Sequence, residues 1–168
     1  MQNAKDTFYE VLRSRLVALN PYRTVVLRGV VRPGLLVEEN ELVMTVALPD
    51  CFRMRWAVGA VSADSALPLV AMACEIEYET AGTAINGGMD RGRLLAAMDA
   101  ELQAAADPLP RTTPKVNYGG LANGTAPVTM ATNVWWSEVV FGQTVVKDDR
   151  LARTATLTVM AYQEAGEL

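Results

Sequence analysis

Apolar and polar positions along the chain change period several times, and each change marks an element. From Lys5 to Leu19, Phe8, Val11, Leu12, Leu16 and Leu19 recur at three- and four-residue spacing, with Glu10, Arg13, Ser14 and Arg15 between them. This predicts an amphipathic helix. Asn20-Pro21 ends it, because the residue before proline is pushed out of the helical region. Thr24 to Val31, rich in Val and Leu, opens a β-rich stretch, and Pro33-Gly34 is a turn signal. Leu35 to Val37 and Leu42 to Leu48 flank Glu38-Glu39-Asn40-Glu41, which predicts a hairpin with a charged tip. From Cys51 to Val61 the alternation of Phe52, Met54 and Trp56 with Arg53 and Arg55 predicts a half-buried strand. Ser62 to Ser65 is read as loop. Leu67 to Glu79 begins as an apolar run and becomes Cys74, Ile76, Tyr78 against Glu75, Glu77, Glu79, a clear strand pattern.

Ala81 to Gly88, punctuated by glycines, predicts a loop, and Met89 to Ala106 a second helix with Leu94 or Leu95, Met98, Leu102 and Ala105 on one face. Asp90 is its expected N-cap. Leu109 to Thr132 is rich in Pro, Gly, Thr and Asn and reads as one long loop. Asn133 to Val146 and Arg153 to Gln163 read as two long strands joined through Lys147-Asp148-Asp149-Arg150, and Glu164 to Leu168 as a short polar tail. Strands and helices alternate too loosely for a parallel doubly wound sheet. The expectation is a single α+β domain over residues 1–168: a mostly antiparallel sheet, two helices packed on it, and a closing β-hairpin.

Composition narrows the chemistry. With 51% hydrophobic and 20% charged residues the chain is far too apolar for a disordered one. Its 15 basic and 19 acidic residues give a net charge of -4, with no basic block, which argues against nucleic acid as the main partner. Histidine is absent, and with it the commonest general base and metal ligand. The first residues lack a signal-peptide pattern, and no apolar run reaches membrane-spanning length. Cys51 and Cys74 form no CxxC pair and are expected to be reduced, structural thiols of a cytoplasmic protein.

No catalytic, cofactor-binding or metal-ligating set is expected. Gly87-Gly88 with Gly92, and Gly119-Gly120 with Gly124, lack the endings of phosphate loops. Glu75, Glu77 and Glu79 share one strand face but are spaced about 7 Å apart, too far to hold one ion without a bend. They read as a solvated face or as a charged surface toward another subunit or a channel. Trp135 and Trp136 face opposite ways, so one sits in the core and the other needs cover from a helix, a loop or a partner; Trp136 is the candidate interface residue. Arg91 and Arg93 open the second helix while Asp99, Glu101 and Asp107 lie toward its end, against the helix dipole, which makes the two arginines candidates for use across an interface.

The layout of an N-terminal helix, a strand hairpin region, the strand PLVAMACEIEYET (Pro68 to Thr80), the helix MDRGRLLAAMDAEL (Met89 to Leu102) and the closing hairpin (Asn133 to Gln163) resembles the tail terminator, or tail completion, proteins of long-tailed bacteriophages and prophages. The resemblance covers most of the chain in element order and size. It implies a non-enzymatic ring, commonly hexameric, assembled in the bacterial cytoplasm and carried in the virion tail. Such a ring caps the tail tube, ends its polymerisation, meets a head-completion or connector protein, and lets DNA pass. Its lumen or subunit-interface candidates here are Glu75, Glu77, Glu79, Arg91, Arg93 and Trp136. The alternative is a small cytoplasmic α+β enzyme or ligand-binding module using carboxylates and arginines such as Glu75, Glu77, Arg53 and Arg55.

Overall fold

The computed structural model describes residues 1–38, 48–62, 66–165 and 167. Helix α1 runs from Gln2 to Leu19 and α2 from Arg91 to Ala106. The strands are β1 (Thr24–Leu27), β2 (Val30–Pro33), β3 (Leu35–Val37), β4 (Phe52–Ser62), β5 (Leu69–Thr80), β6 (Thr112–Asn117), β7 (Val128–Trp136), β8 (Val140–Phe141), β9 (Val145–Lys147) and β10 (Arg150–Tyr162). The main sheet has the order β3-β4-β5-β10-β7-β6, with β8 and β9 also on β10. All its pairings are antiparallel except β3 with β4. The class is α+β, with two described helices on a mostly antiparallel sheet.

Strict alternation on β5 divides the sheet's faces. Val70, Met72, Cys74, Ile76 and Tyr78 are buried; across β10 they meet Ala161, Val159, Leu157, Ala155 and Arg153 in register. Both helices cover this face. α1 brings Phe8, Leu12 and Leu16, and α2 brings Leu95, Met98, Leu102 and Ala105, into the same cluster. Phe8 lies edge-on to Trp56 at 6.1 Å and to Trp136 at 5.4 Å, contacts worth about 0.5–1.5 kcal/mol each beyond their area. The opposite face carries Ala71, Ala73 and the three glutamates on β5, and threonines on β10, all without helical cover.

Several expectations are corrected. The β-rich stretch from Thr24 is resolved into two strands. Arg28 and Gly29 both take positive φ (51° and 79°) and turn it into the two-residue hairpin β1–β2. Leu109 to Thr132 is not one loop, since β6 lies within it and pairs with β7. Proline had counted against a strand there, but Pro114 sits at a register shift on the sheet's edge, where its missing N–H costs nothing. Asn133 to Val146 is not continuous. It is broken into the end of β7, β8 and β9, while Ser137 N and Gly142 N still donate to Thr158 O and Thr154 O of β10. The loop at Ser62 to Ser65 and the second arm and tip of the Leu35–Leu48 hairpin fall almost wholly outside the described residues.

Candidate functional site

The glutamate stripe lies where its alternation places it, but it is not an acidic wall. Arg53 and Arg55 stand on β4 directly opposite Glu77 and Glu75. Arg55 Nε donates to Glu75 at 2.6 Å, and its Nη2 lies 3.5 Å from Glu77. Arg53 pairs with Glu77 and reaches Glu38 at 3.4 Å. From the other side Arg150 pairs with Glu79. Desolvation alone would push the Glu77 carboxyl up, but the hydrogen bond and charge of Arg53, with Arg55 and Lys147 beyond, hold it below the ordinary carboxylate value. The half-exposed pairs of Arg53 and Arg55 with Glu77 and Glu75 contribute at most about 1 kcal/mol each. Together with the Arg150 pair, their larger effect is to neutralise the stripe, one arginine to each glutamate. Among the described residues no three acidic or thiol groups converge as metal ligands.

Beside this ladder the sheet holds a cavity of about 280 Å³, lined by Arg53, Glu77 and Glu79 from β4 and β5 and by Lys147, Ala152 and Thr154 from β9 and β10. Cys51 borders it; burial first, then Asp50, pushes its thiol up to about 11, so it stays protonated at neutral pH. Cys74, in the core, is pushed higher still by burial.

Trp136 is only 4% exposed. Its Nε1 donates to Ala106 O at 2.7 Å, at the end of α2. The expectation that it faces a partner is therefore corrected: parity puts it on the helix-covered face, and Trp135 is the one on the far face, against Tyr162 at 5.5 Å.

Arg91 and Arg93 divide in role. Arg91 Nε donates to Gly88 O at 2.7 Å and Nη1 to Asp149 O at 2.6 Å, which ties the loop before α2 to the β9–β10 turn. Arg93 is exposed and has no side-chain partner among the described residues. The acidic residues of α2 are used inside the chain. Asp99 accepts from Tyr78 and Arg153, and Glu101 accepts from Asn20 at 2.9 Å and from both ends of the Arg23 fork at 2.7 and 2.8 Å.

The loop before α2 is more ordered than its glycines suggest. Asp90 stands at the N-cap position but does not cap the helix. Both its oxygens are taken by the preceding turn: Thr83 N at 2.8 Å, Thr83 Oγ1 at 2.7 Å and Asn86 Nδ2 at 2.9 Å. Those bonds, from Thr83 first and then Asn86, hold the Asp90 carboxyl down to about 2. Gly82 takes a φ of +79°, and a Cβ there would lie 2.7 Å from Gly88 Cα. This fastened turn holds Ile85 and Met89 in solvent, 96% and 89% exposed. Beside the tied β9–β10 turn, Val146 of β9 is 71% exposed. A second apolar surface stands on β1–β2, where the paired Val26 and Val31 are each about two-thirds exposed. That hairpin forms a separate two-stranded sheet, anchored at its base by Arg23.

Sequence reasoning missed one buried charge. Lys115 is fully buried, with Nζ donating to Tyr162 O and Glu167 Oε2, both at 2.6 Å. The register shift beside Pro114 turns it inward, and no periodicity announces such a shift. No helix among the described residues is long and apolar enough to cross a membrane. No protein-family model matches the chain, and no curated protein matches it either.

Proposed function

We propose that the chain is a tail-terminator-like assembly protein of a phage or prophage. In this reading it is one subunit of a homo-oligomeric ring, six copies being the expected number, that caps the tail tube and ends its polymerisation at the head-tail junction. It is assembled in the bacterial cytoplasm and kept in the virion tail, with the tail tube protein, a head-completion protein and passing DNA as its contacts. The supporting observation is the turn from Thr83 to Asp90. Three hydrogen bonds to one carboxylate hold it rigid, yet the side chains it presents, Ile85 and Met89, are apolar and almost fully exposed. Apolar groups held rigidly in water are a feature of surfaces that are covered on assembly. The α+β element order supports the same reading. The neutralised stripe does not bear on it, since it offers passing DNA neither attraction nor strong repulsion.

Light scattering of the purified protein, together with polymerisation of tail tube protein in its presence, tests the reading. A defined oligomer that limits tube length is expected. A monomer at all concentrations, without effect on the tube, overturns it. The cavity beside Arg53 and Glu77 favours the second reading, a ligand-binding module.

A further inference from the structure

Residues 11–37 carry five arginines and no acidic residue. The β1–β2 hairpin stands in this stretch. Arg28 is exposed at its turn and has no hydrogen bond or ion pair among the described residues. Val26 and Val31 lie opposite each other on one side of the hairpin and Val30 on the other, all more than half exposed. A two-stranded hairpin is marginal in water by itself, and this one is fastened at its base, where Arg23 donates to Glu101 and to Asp50 O. Its valines and its charge both call for cover that is apolar and acidic. The chain presents such a surface elsewhere. Ile85 and Met89 stand in solvent on the turn before α2, and Arg91 ties that turn to the β9–β10 turn. Val146 pairs with Leu151, which packs against the core, so parity projects it to the side of the sheet that α2 covers. On the β9–β10 turn itself Asp148 is exposed with no hydrogen bond or ion pair among the described residues, and Asp149 is only loosely paired, 3.8 Å from Arg150. The cations beside them are spent or turned away: Arg91 on backbone carbonyls, Arg150 on Glu79, and Lys147 on the opposite side of β9 from Val146. Arg93, exposed in the first turn of α2, is the one cation left open there among the described residues, against two carboxylates. Within one chain neither surface covers the other, since both stay exposed.

We propose that these two surfaces meet between copies of this chain. The β1–β2 hairpin of one copy lies on the tied turns of the next, with Val26 and Val31 against Ile85, Met89 and Val146, and Arg28 beside Asp148 and Asp149. A second copy is preferred over an unrelated protein because the acidic, apolar surface that the hairpin requires is already part of the chain. Two different patches joined in this way make a head-to-tail contact, which repeats from copy to copy and closes into a ring when the rotation permits. The contact rests on the ring-assembly reading and names its two surfaces.

The test mixes two full-length variants and follows them by light scattering. One carries Val26→Asp with Val31→Asp and keeps its turns; the other carries Ile85→Asp with Met89→Asp and keeps its hairpin. Each alone is expected to be a monomer that melts within a few degrees of wild type. Mixed in equal amounts at about 100 μM they are expected to form a 1:1 dimer that grows no further, because one intact hairpin then meets one intact pair of turns. The dimer uses the hairpin of the second variant, so disorder of the altered hairpin in the first does not spoil the readout. Arg28→Glu should weaken wild-type association by about tenfold, an effect that shrinks in high salt. A variant that stays oligomeric by itself, or a mixture that stays monomeric, overturns the proposed contact and leaves the ring reading standing. Unchanged association in Arg28→Glu overturns the charge pairing and with it the choice of a second copy. A wild type that is monomeric at every concentration overturns the contact and the ring reading together.

Discussion

Replacing Glu167 by Gln tests how the C-terminal segment is held. The Lys115 side chain is 1% exposed and that of Glu167 is 5% exposed. The ammonium keeps two close acceptors, Tyr162 O and Glu167, while Glu164 stands further off at 3.6 Å. Glu167 also accepts from Glu164 N at 2.8 Å and from Asn3 of α1 at 3.3 Å. Gln removes the charge and keeps the shape, leaving a buried cation with two neutral acceptors, the amide oxygen and the Tyr162 carbonyl, and a distant carboxylate. Breaking a buried pair in this way costs about 3–5 kcal/mol. The remaining help from Glu164 lowers the expected loss to about 2–4 kcal/mol, or roughly 5–12 °C in melting temperature for a chain of this size. Urea denaturation of wild type, Glu167→Gln, Lys115→Met and the double variant measures it. The double variant should lose less than the sum of the two, by about 1–3 kcal/mol. The pH dependence supplies a sign. Desolvation acts to raise the Glu167 carboxyl, but Lys115 and the backbone bond outweigh it, and the folded value lies below the ordinary one. The unfolded chain therefore binds more protons, so the contribution is complete above the ordinary carboxylate range and is lost as pH falls through the folded value. The gap between wild type and Glu167→Gln should be constant from neutral pH down to about 5 and narrow below that. A variant within about 0.5 kcal/mol of wild type at pH 7 refutes the reasoning.

Three further outcomes follow from the geometry. Ile85→Asp with Met89→Asp should dissociate the oligomer in light scattering while leaving the melting temperature within a few degrees, because neither side chain is packed within the chain; an unchanged oligomer removes the turn as its contact. Trp136→Phe loses the bond to Ala106 O and part of the edge contact with Phe8, so it should destabilise by about 1.5–3 kcal/mol in urea without changing the oligomer; dissociation without destabilisation would show the tryptophan working at an interface. Asp90→Ala frees Thr83 and Asn86, so hydrogen exchange at Thr83 and Gly88 should quicken while that of the α2 interior does not.

Where one side-chain period persists, the sequence reports the structure well. The eleven- and twelve-residue strands β4 and β5 and the buried stripe of α2 follow from alternation and from three- and four-residue spacing. Legibility fails where backbone conformation departs from the side-chain code. Arg28 carries no turn signature of its own, yet takes positive φ. Pro114 argues against a strand unless the strand is known to be an edge. The breaks after Trp136 and Phe141 interrupt what alternation reads as one element. In the candidate site, the facing of Glu75, Glu77 and Glu79 was legible, and so were the arginines on the next strand. Their one-to-one pairing depends on the register of β4, β5 and β10, which no single strand encodes. The parity of Trp135 and Trp136 was legible as well, but which of them faces the helices was not.

Strand β10 has a consequence for how the chain reaches its fold. It is thirteen residues long and joins β5 along one edge to β7, β8 and β9 along the other, so the middle of the sheet is synthesised after nearly everything it connects. The β4–β5 pair can form locally, but β5 must keep its second edge open until Arg150 and the residues after it arrive. Such long-range closure is slow and leaves Val70, Met72 and Ile76 uncovered on one side meanwhile. Chains cut short before β10 should therefore accumulate as aggregates rather than as smaller folded proteins, and the protein's yield in a cell should depend on chaperone supply more than its final stability would suggest.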